Sequence, residues 1–256
     1  MKTLPDSAEL KHLDQVSAEL INVIIDDLRN ELRELKEESE SGELTVELCS
    51  LRLLTKALRP LPENHGAMPE LERFGALLVG PGWGTDPGRQ GLLQHLLRQG
   101  LPGVLDADAI TLLRAGRGAR LGGRWVLTPH PGEMARLLGT EASSLLADPL
   151  PPLLAASREL GAVIALKGHC TLVASPQGRY AVLDGMNPAL GTAGSGDVLA
   201  GIVAGLVAGG LSAWEAARQG VALHAAIGER LFRERGFFLA EDMVEAVSAA
   251  VAGGGK

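Results

Sequence analysis

The segment Gly191-Thr192-Ala193-Gly194-Ser195-Gly196-Asp197 runs directly into the apolar stretch Val198–Gly201. Glycines at 194 and 196 let successive backbone N–H groups converge with no side chain in the way. An apolar helix beginning there places those N–H groups at its positive end, which suits a phosphate. Asp197 falls at the head of that helix. Beside a bound phosphate its carboxylate could take a proton from a substrate hydroxyl; alternatively it caps the helix. The spacing matches neither Gly-x-x-x-x-Gly-Lys-Ser/Thr nor Gly-x-Gly-x-x-Gly.

Three further stretches carry chemistry-bearing residues. Gly80-Pro81-Gly82-Trp83-Gly84 is a second glycine loop, open either to close ligand approach or to a tight turn. In Thr128-Pro129-His130-Pro131-Gly132-Glu133, two prolines hold His130 in a stiff extended loop. Glu133 then falls in the first turn of a helix, where a carboxylate is favoured. Lys167-Gly168-His169-Cys170-Thr171 offers a cation for phosphate charge and a glycine that leaves room for a nucleotide. His169 and Cys170 are adjacent in an extended segment and point to opposite faces, against a Cys–His catalytic pair. Asp106 and Asp108, on one side of an extended segment, either hold Mg²⁺ through water or cap the next helix. No His-Glu-x-x-His or Cys-x-x-Cys zinc pattern occurs, and no protein metal ligand is assigned.

These residues need elements to position them. Ala76–Val79, Val104-Leu105, Arg124–Leu127 and Val163–Leu166 are short apolar runs, and Cys170–Ala174 is extended. Gln90–Arg98, Glu133–Leu138, Asp197–Val207 and Ala213–Leu231 read as helices. The alternation predicts an α/β fold: a mainly parallel sheet covered on both faces. The polar residues follow the apolar runs, so they gather at the carboxyl edge of the sheet, where ligands bind in open α/β folds.

The chain has 256 residues, 46% of them hydrophobic, with 33 glycines and a formal charge of −7. That apolar content excludes disorder over the whole chain. No long uncharged apolar run predicts a membrane-spanning helix. Cys49 and Cys170 are too few for a disulfide framework, and the N-terminus has no signal-peptide core, so a cytoplasmic protein is expected. Residues 1–42 hold 11 acidic and 5 basic residues, while the remainder is nearly balanced. With no basic field and only 3% aromatics, a nucleic-acid partner is not expected. Leu20, Ile21, Ile24, Ile25, Leu28, Leu32 and Leu35 recur at helical spacing within residues 14–38. Residues 1–42 therefore read as an acidic amphipathic helical extension, packed on the domain or on a partner copy. A homo-oligomer is expected.

Taken together, Gly80–Gly84, Asp106–Ala109, Thr128–Glu133, Lys167–Thr171 and Asn187–Gly201 resemble the ADP/ATP-dependent NAD(P)H-hydrate dehydratases. They occur in family order over roughly residues 75–250. Thr128–Glu133 is the specific stretch; the glycine–aspartate loop is shared with sugar and vitamin kinases. The resemblance implies a ribokinase-like three-layer α/β/α domain over residues 43–256. By the same comparison, no counterpart of the family's lysine- and glycine-rich first strand, or of the epimerase domain often fused ahead of it, is expected in this sequence. The resemblance also implies ADP- or ATP-dependent dehydration of hydrated NADH or NADPH: phosphorylation of the ring hydroxyl, then elimination. Gly82, His130 and Asp197 would contact the hydrated cofactor. Lys167, Gly168, His169, Cys170, Thr171, Gly194, Ser195 and Gly196 would hold the adenine nucleotide, with Mg²⁺ bound alongside it. Asp197 would be the catalytic base. A small-molecule kinase of the same fold and a nucleotide-binding remnant without turnover are the alternatives.

Overall fold

A computed structural model describes residues 71, 74–115, 120–184 and 187–252. The amphipathic helix expected at 14–38, the boundary near 42, Cys49 and the apolar stretch 44–54 lie outside the described residues. Six strands form one sheet in the order β1 (Leu77–Val79), β2 (Gly103–Leu105), β3 (Trp125–Leu127), β4 (Val163–Leu166), β5 (Cys170–Ala174) and β6 (Tyr180–Asp184). Strands β1 to β4 pair in parallel, and β4–β5 and β5–β6 pair antiparallel. The sheet is thus mainly parallel, with a two-hairpin meander at one side. The strand at 180–184 has no counterpart among the apolar runs read from sequence, although Tyr180-Ala181-Val182-Leu183 is itself a short apolar run; Tyr180 and Val182 are exposed in the folded chain.

The helices fall on two faces. On one side lie α1 (Pro87–Arg98), α2 (Ala107–Ala115), α3 (Pro131–Leu138), α4 (Ala142–Ala147) and α5 (Leu150–Leu160). On the other lie α6 (Ser195–Ala208), α7 (Ala213–Arg235) and α8 (Ala240–Ala252). The central strands are buried on both faces, so they read as continuous apolar runs. Their side chains still alternate. Val104, Val126, Val163 and Ala165 pack under α6 and α7, and Leu105, Leu127, Ile164 and Leu166 pack under α2, α3 and α5. This three-layer arrangement supplies two apolar cores and leaves the strand ends free for polar residues. No helix among the described residues is long and apolar enough to cross a membrane.

Candidate functional site

Because β1 to β4 run parallel, the residues after them emerge along one edge. Gly80 follows β1 with φ +126°, and a Cβ there would collide with the Asp106 carbonyl, so only glycine allows the two turns to touch. Asp106 follows β2 and is buried. Its Oδ1 accepts from the Thr128 hydroxyl, just after β3, at 2.8 Å. The same oxygen accepts from Lys167 Nζ, just after β4, at 2.9 Å. The Lys167 backbone N–H donates to the Pro129 carbonyl at 2.8 Å. Three consecutive strand ends, those of β2, β3 and β4, are thereby tied into one polar network that no single segment reveals, with the β1 turn packed against it.

The extended pairing expected for Asp106 and Asp108 does not hold. Helix α2 begins at Ala107, whose φ is +46°. The chain turns between the two aspartates and sends them to different partners. Asp108 Oδ2 accepts the Gly84 N–H at 2.8 Å and so anchors the first glycine loop. Gly82, at φ +64°, lies exposed in that loop, and a Cβ there would meet nothing within 4 Å. Trp83 is half-buried against the neighbouring core, with Arg89 5.8 Å over its ring.

The second glycine turn reaches the same edge because β6 is antiparallel to β5 and therefore runs in the direction of β4. A 3-10 turn (Pro188–Gly191) follows, capped by Asn187 Oδ1, which accepts the Ala189 N–H at 2.9 Å. Gly194, at φ +86°, then caps α6. Asp197 is consequently not the cap: it is the third helical residue, and its side chain is exposed at the site. Gly196 faces Lys167, whose Nζ would lie 3.2 Å from a Cβ added at 196. The missing Cβ leaves a concavity between an ammonium and the free N–H groups of a helix start, a natural seat for a phosphate. Although the side chain reaches solvent, partial desolvation by the walls of the site raises the Asp197 carboxyl above its ordinary value, Asp106 and Glu133 raise it further, and Lys167 opposes them.

That direction has a stability consequence. A carboxyl raised on folding binds more protons in the folded chain, so its contribution falls as pH rises through the folded-state pKa. Asp197→Asn is therefore expected to unfold at a slightly higher temperature than the native chain at neutral pH. The gain should vanish in acid below the ordinary carboxylate range, as thermal unfolding across pH would show.

His130 has a structural task of its own. Its Nδ1 accepts from the Gly132 and Glu133 N–H groups at 3.0 and 3.3 Å. Glu133 Oε2 accepts the His130 N–H at 2.8 Å, completing a reciprocal cap on α3. With Nδ1 accepting, the neutral ring carries its proton on Nε2, 3.4 Å from Glu133 Oε1. The ring is half-exposed, so this N–H edge opens to solvent beside the site. His130→Ala is expected to cost about 1 kcal/mol through loss of the cap, read as a shift in the urea midpoint.

Of the remaining residues predicted from sequence, Lys167, Gly168 and His169 make the reversal from β4 into β5. His169 thus lies in a bend, and the strand begins only at Cys170. Gly168, His169 and Cys170 are exposed, and Thr171 is half-buried. Ser195 is buried, and beneath it lies His224 of α7, which sequence reading passed over. Its Nε2 is 3.0 Å from the Ser195 carbonyl oxygen and 3.1 Å from Ser195 Oγ. Its helical position within an apolar stretch gave no signal. Thr128 was noticed only as part of the proline-rich stretch, with no role for its hydroxyl. Among the described residues no cluster of three His, Cys, Asp or Glu side chains stands ready for a metal ion.

The family model for NAD(P)H-hydrate dehydratases matches residues 40–249. The chain belongs to the NAD(P)H-hydrate dehydratase family. The bifunctional NAD(P)H-hydrate repair enzyme Nnr of Moorella thermoacetica is 45% identical over 174 residues, 66% of this chain and 33% of that protein. The chain thus spans about a third of that relative's length. Among solved structures, the ADP/ATP-dependent NAD(P)H-hydrate dehydratase of Bacillus subtilis, crystallised with ATP and Mg²⁺, matches with a TM-score of 0.61 and 26% identity. The match covers 77% of this chain and 70% of that one. A ribokinase-like protein of Enterococcus faecalis matches with a TM-score of 0.61 and 30% identity, over 70% of this chain and 62% of that one. The fold of this chain is accordingly ribokinase-like.

Proposed function

We propose that this chain dehydrates hydrated NADH or NADPH at the expense of ADP or ATP, restoring the normal reduced cofactor. The observation that carries this reading is the meeting of Lys167 Nζ, the Gly196 backbone and the Asp197 carboxylate at one helix start. Phosphoryl transfer needs positioning and charge stabilisation rather than covalent chemistry from the protein, and this is what the site offers. The names of the matched relatives support the same substrate.

In this reading Lys167 and the N–H groups of Ala193, Gly194 and Gly196 hold the transferable phosphate of ADP, while the Ser195 N–H is engaged by the Thr192 carbonyl at 3.2 Å; Gly168, His169, Cys170 and Thr171 lie along the nucleotide. Gly82 and the Nε2–H edge of His130 border the hydrated nicotinamide. Asp197 accepts the proton of the ring hydroxyl as its oxygen bonds to the β-phosphorus and the bond to AMP breaks. Phosphate then leaves the ester with the C–O bonding electrons, a proton on the neighbouring ring carbon passes to solvent, and its C–H electrons re-form the ring double bond. The net change is hydrated NAD(P)H and ADP to NAD(P)H, AMP and phosphate.

The carboxylates of Asp106 and Asp197 are hard oxygen donors near the phosphate seat. With no three-residue cluster among the described residues, they fit Mg²⁺ held chiefly by the nucleotide and water, with one or two carboxylates at most. When bound, the ion would neutralise phosphate charge as it shifts during transfer. A homo-oligomer in the cytoplasm is part of the same proposal. The exposed Tyr180 and Val182 on edge strand β6 support the assembly.

Full-length protein incubated with hydrated NADH, ADP and Mg²⁺ is expected to regain the absorbance of the reduced nicotinamide and release AMP. A flat trace with both ADP and ATP overturns the reading. Accumulation of a stable phosphorylated product would favour a kinase instead. The acid limb of kcat/KM is expected above the ordinary carboxylate range, since the base form of Asp197 is lost at higher pH than usual. A limb within that ordinary range would remove Asp197 from the role.

A further inference from the structure

The phosphate seat depends on the direction of a few backbone N–H groups, and the first turn of α6 offers one of them a fixed support. Ser195 C=O and Gly196 N–H belong to the same peptide unit. That unit is planar and trans, so its carbonyl and its N–H point in opposite directions. Whatever holds the Ser195 carbonyl from behind therefore sets where the Gly196 N–H aims.

His224 occupies the place behind it. Its Nε2 lies 3.0 Å from the Ser195 carbonyl oxygen and 3.1 Å from Ser195 Oγ. An unprotonated Nε2 would set its lone pair against the carbonyl's, so Nε2 carries the proton and donates. The side chain is buried. Burial, together with the nearby positive charge of Lys167, lowers its pKa to about 4, against the Ser195 hydrogen bond that raises it. The ring is thus neutral through the ordinary pH range and acts as a donor without adding charge.

The approach of α7 that brings His224 there is itself built from sequence. Gly220 and Gly228 lie one turn before and one turn after it on the same helix face. A Cβ at 220 would stand 2.6 Å from Val203 Cγ2 of α6, and one at 228 would stand 2.5 Å from Leu190 Cδ2 of the 3-10 turn. Both glycines let α7 sit against the elements that frame the glycine turn, and His224 between them spans the remaining gap.

We propose that His224 is a positioning residue for the nucleotide. Its Nε2–H holds the Ser195–Gly196 peptide so that the Gly196 N–H stays directed at the bound phosphate. The donated bond also polarises that peptide and strengthens its N–H as a donor. This rests on the reading that the turn binds an adenine nucleotide.

The test compares His224→Leu, His224→Gln and His224→Asn in the full-length chain, with ADP affinity measured by calorimetry alongside kcat and KM. Leu removes the donor, Gln carries an N–H to nearly the reach of Nε2, and Asn carries one too short to meet the carbonyl. Leu and Asn are expected to weaken ADP binding about tenfold, the scale of one lost phosphate-directed hydrogen bond, and to raise KM for ADP in step. Gln should stay within about threefold of the native chain, by keeping that bond. Should the Leu variant fail to fold, the contrast of Gln against Asn still decides. Equal ADP affinity in the native, Gln and Asn chains overturns the proposal, as does a folded Leu variant that binds as the native chain does. A native chain that binds no adenine nucleotide defeats the reading of the site itself.

Discussion

Asp197→Asn is expected to slow regeneration of the reduced nicotinamide by about 10²- to 10⁴-fold, the usual contribution of a positioned general base. ADP affinity should hardly change, or should improve slightly. The carboxylate faces a seat meant for anionic phosphate, and the amide removes a like charge while leaving the Gly194–Gly196 turn intact. The expected signature is a collapse in kcat with KM for ADP level or lower. Together with the small gain in stability at neutral pH, this pattern is characteristic of a group held for chemistry at the expense of the fold. Full turnover in the Asn variant would remove Asp197 from the mechanism.

Breaking the Asp106–Lys167 pair is expected to have the largest effect on the fold. Lys167→Met leaves the Asp106 carboxylate buried with the Thr128 hydroxyl as its remaining partner in the network. Orphaning one member of such a pair costs about 3–5 kcal/mol, which would show as a large drop in the urea midpoint. The same change removes the ammonium facing Gly196, so ADP binding should weaken by about 10- to 100-fold, as for loss of a charged hydrogen bond to phosphate. The double variant Asp106→Asn, Lys167→Met separates the two roles. Removing both charges should recover much of the stability, because a neutral pair leaves no orphaned charge. It should recover none of the ADP affinity. If the double variant is no more stable than Lys167→Met, the pair does not stabilise the strand-end network in the way its geometry suggests.

Much of the scaffold is legible in the chain. Strands β2 to β4 are buried on both faces, so each appears as an unbroken apolar run, and the polar residue after each run marks the carboxyl edge. Helices α6 and α7 are long and apolar, and their starts are marked by the glycine turn and by Ser212, which accepts the Glu215 N–H as a cap. Strand β6 is a run of only four apolar residues, too short to separate strand from loop by pattern alone, and the start of α2 is set by the left-handed turn at Ala107, which residue type does not announce. The aspartates at 106 and 108 part for the same reason: an extended segment would set them on one side, and the left-handed residue at Ala107 turns the chain between them.

What the sequence determined by itself was local: which segments are apolar, where glycine frees the backbone, and where prolines stiffen His130. Those properties depend on a residue and its near neighbours, so they are written along the chain. The tertiary structure alone decided that Asp106 ties Thr128 to Lys167, that Lys167 faces Gly196, and that His224 supports the Ser195–Gly196 peptide. These contacts join residues 22 to 61 positions apart. They exist only because parallel strands align their ends and because two glycines let α7 settle against α6, geometry that residue type and spacing do not encode.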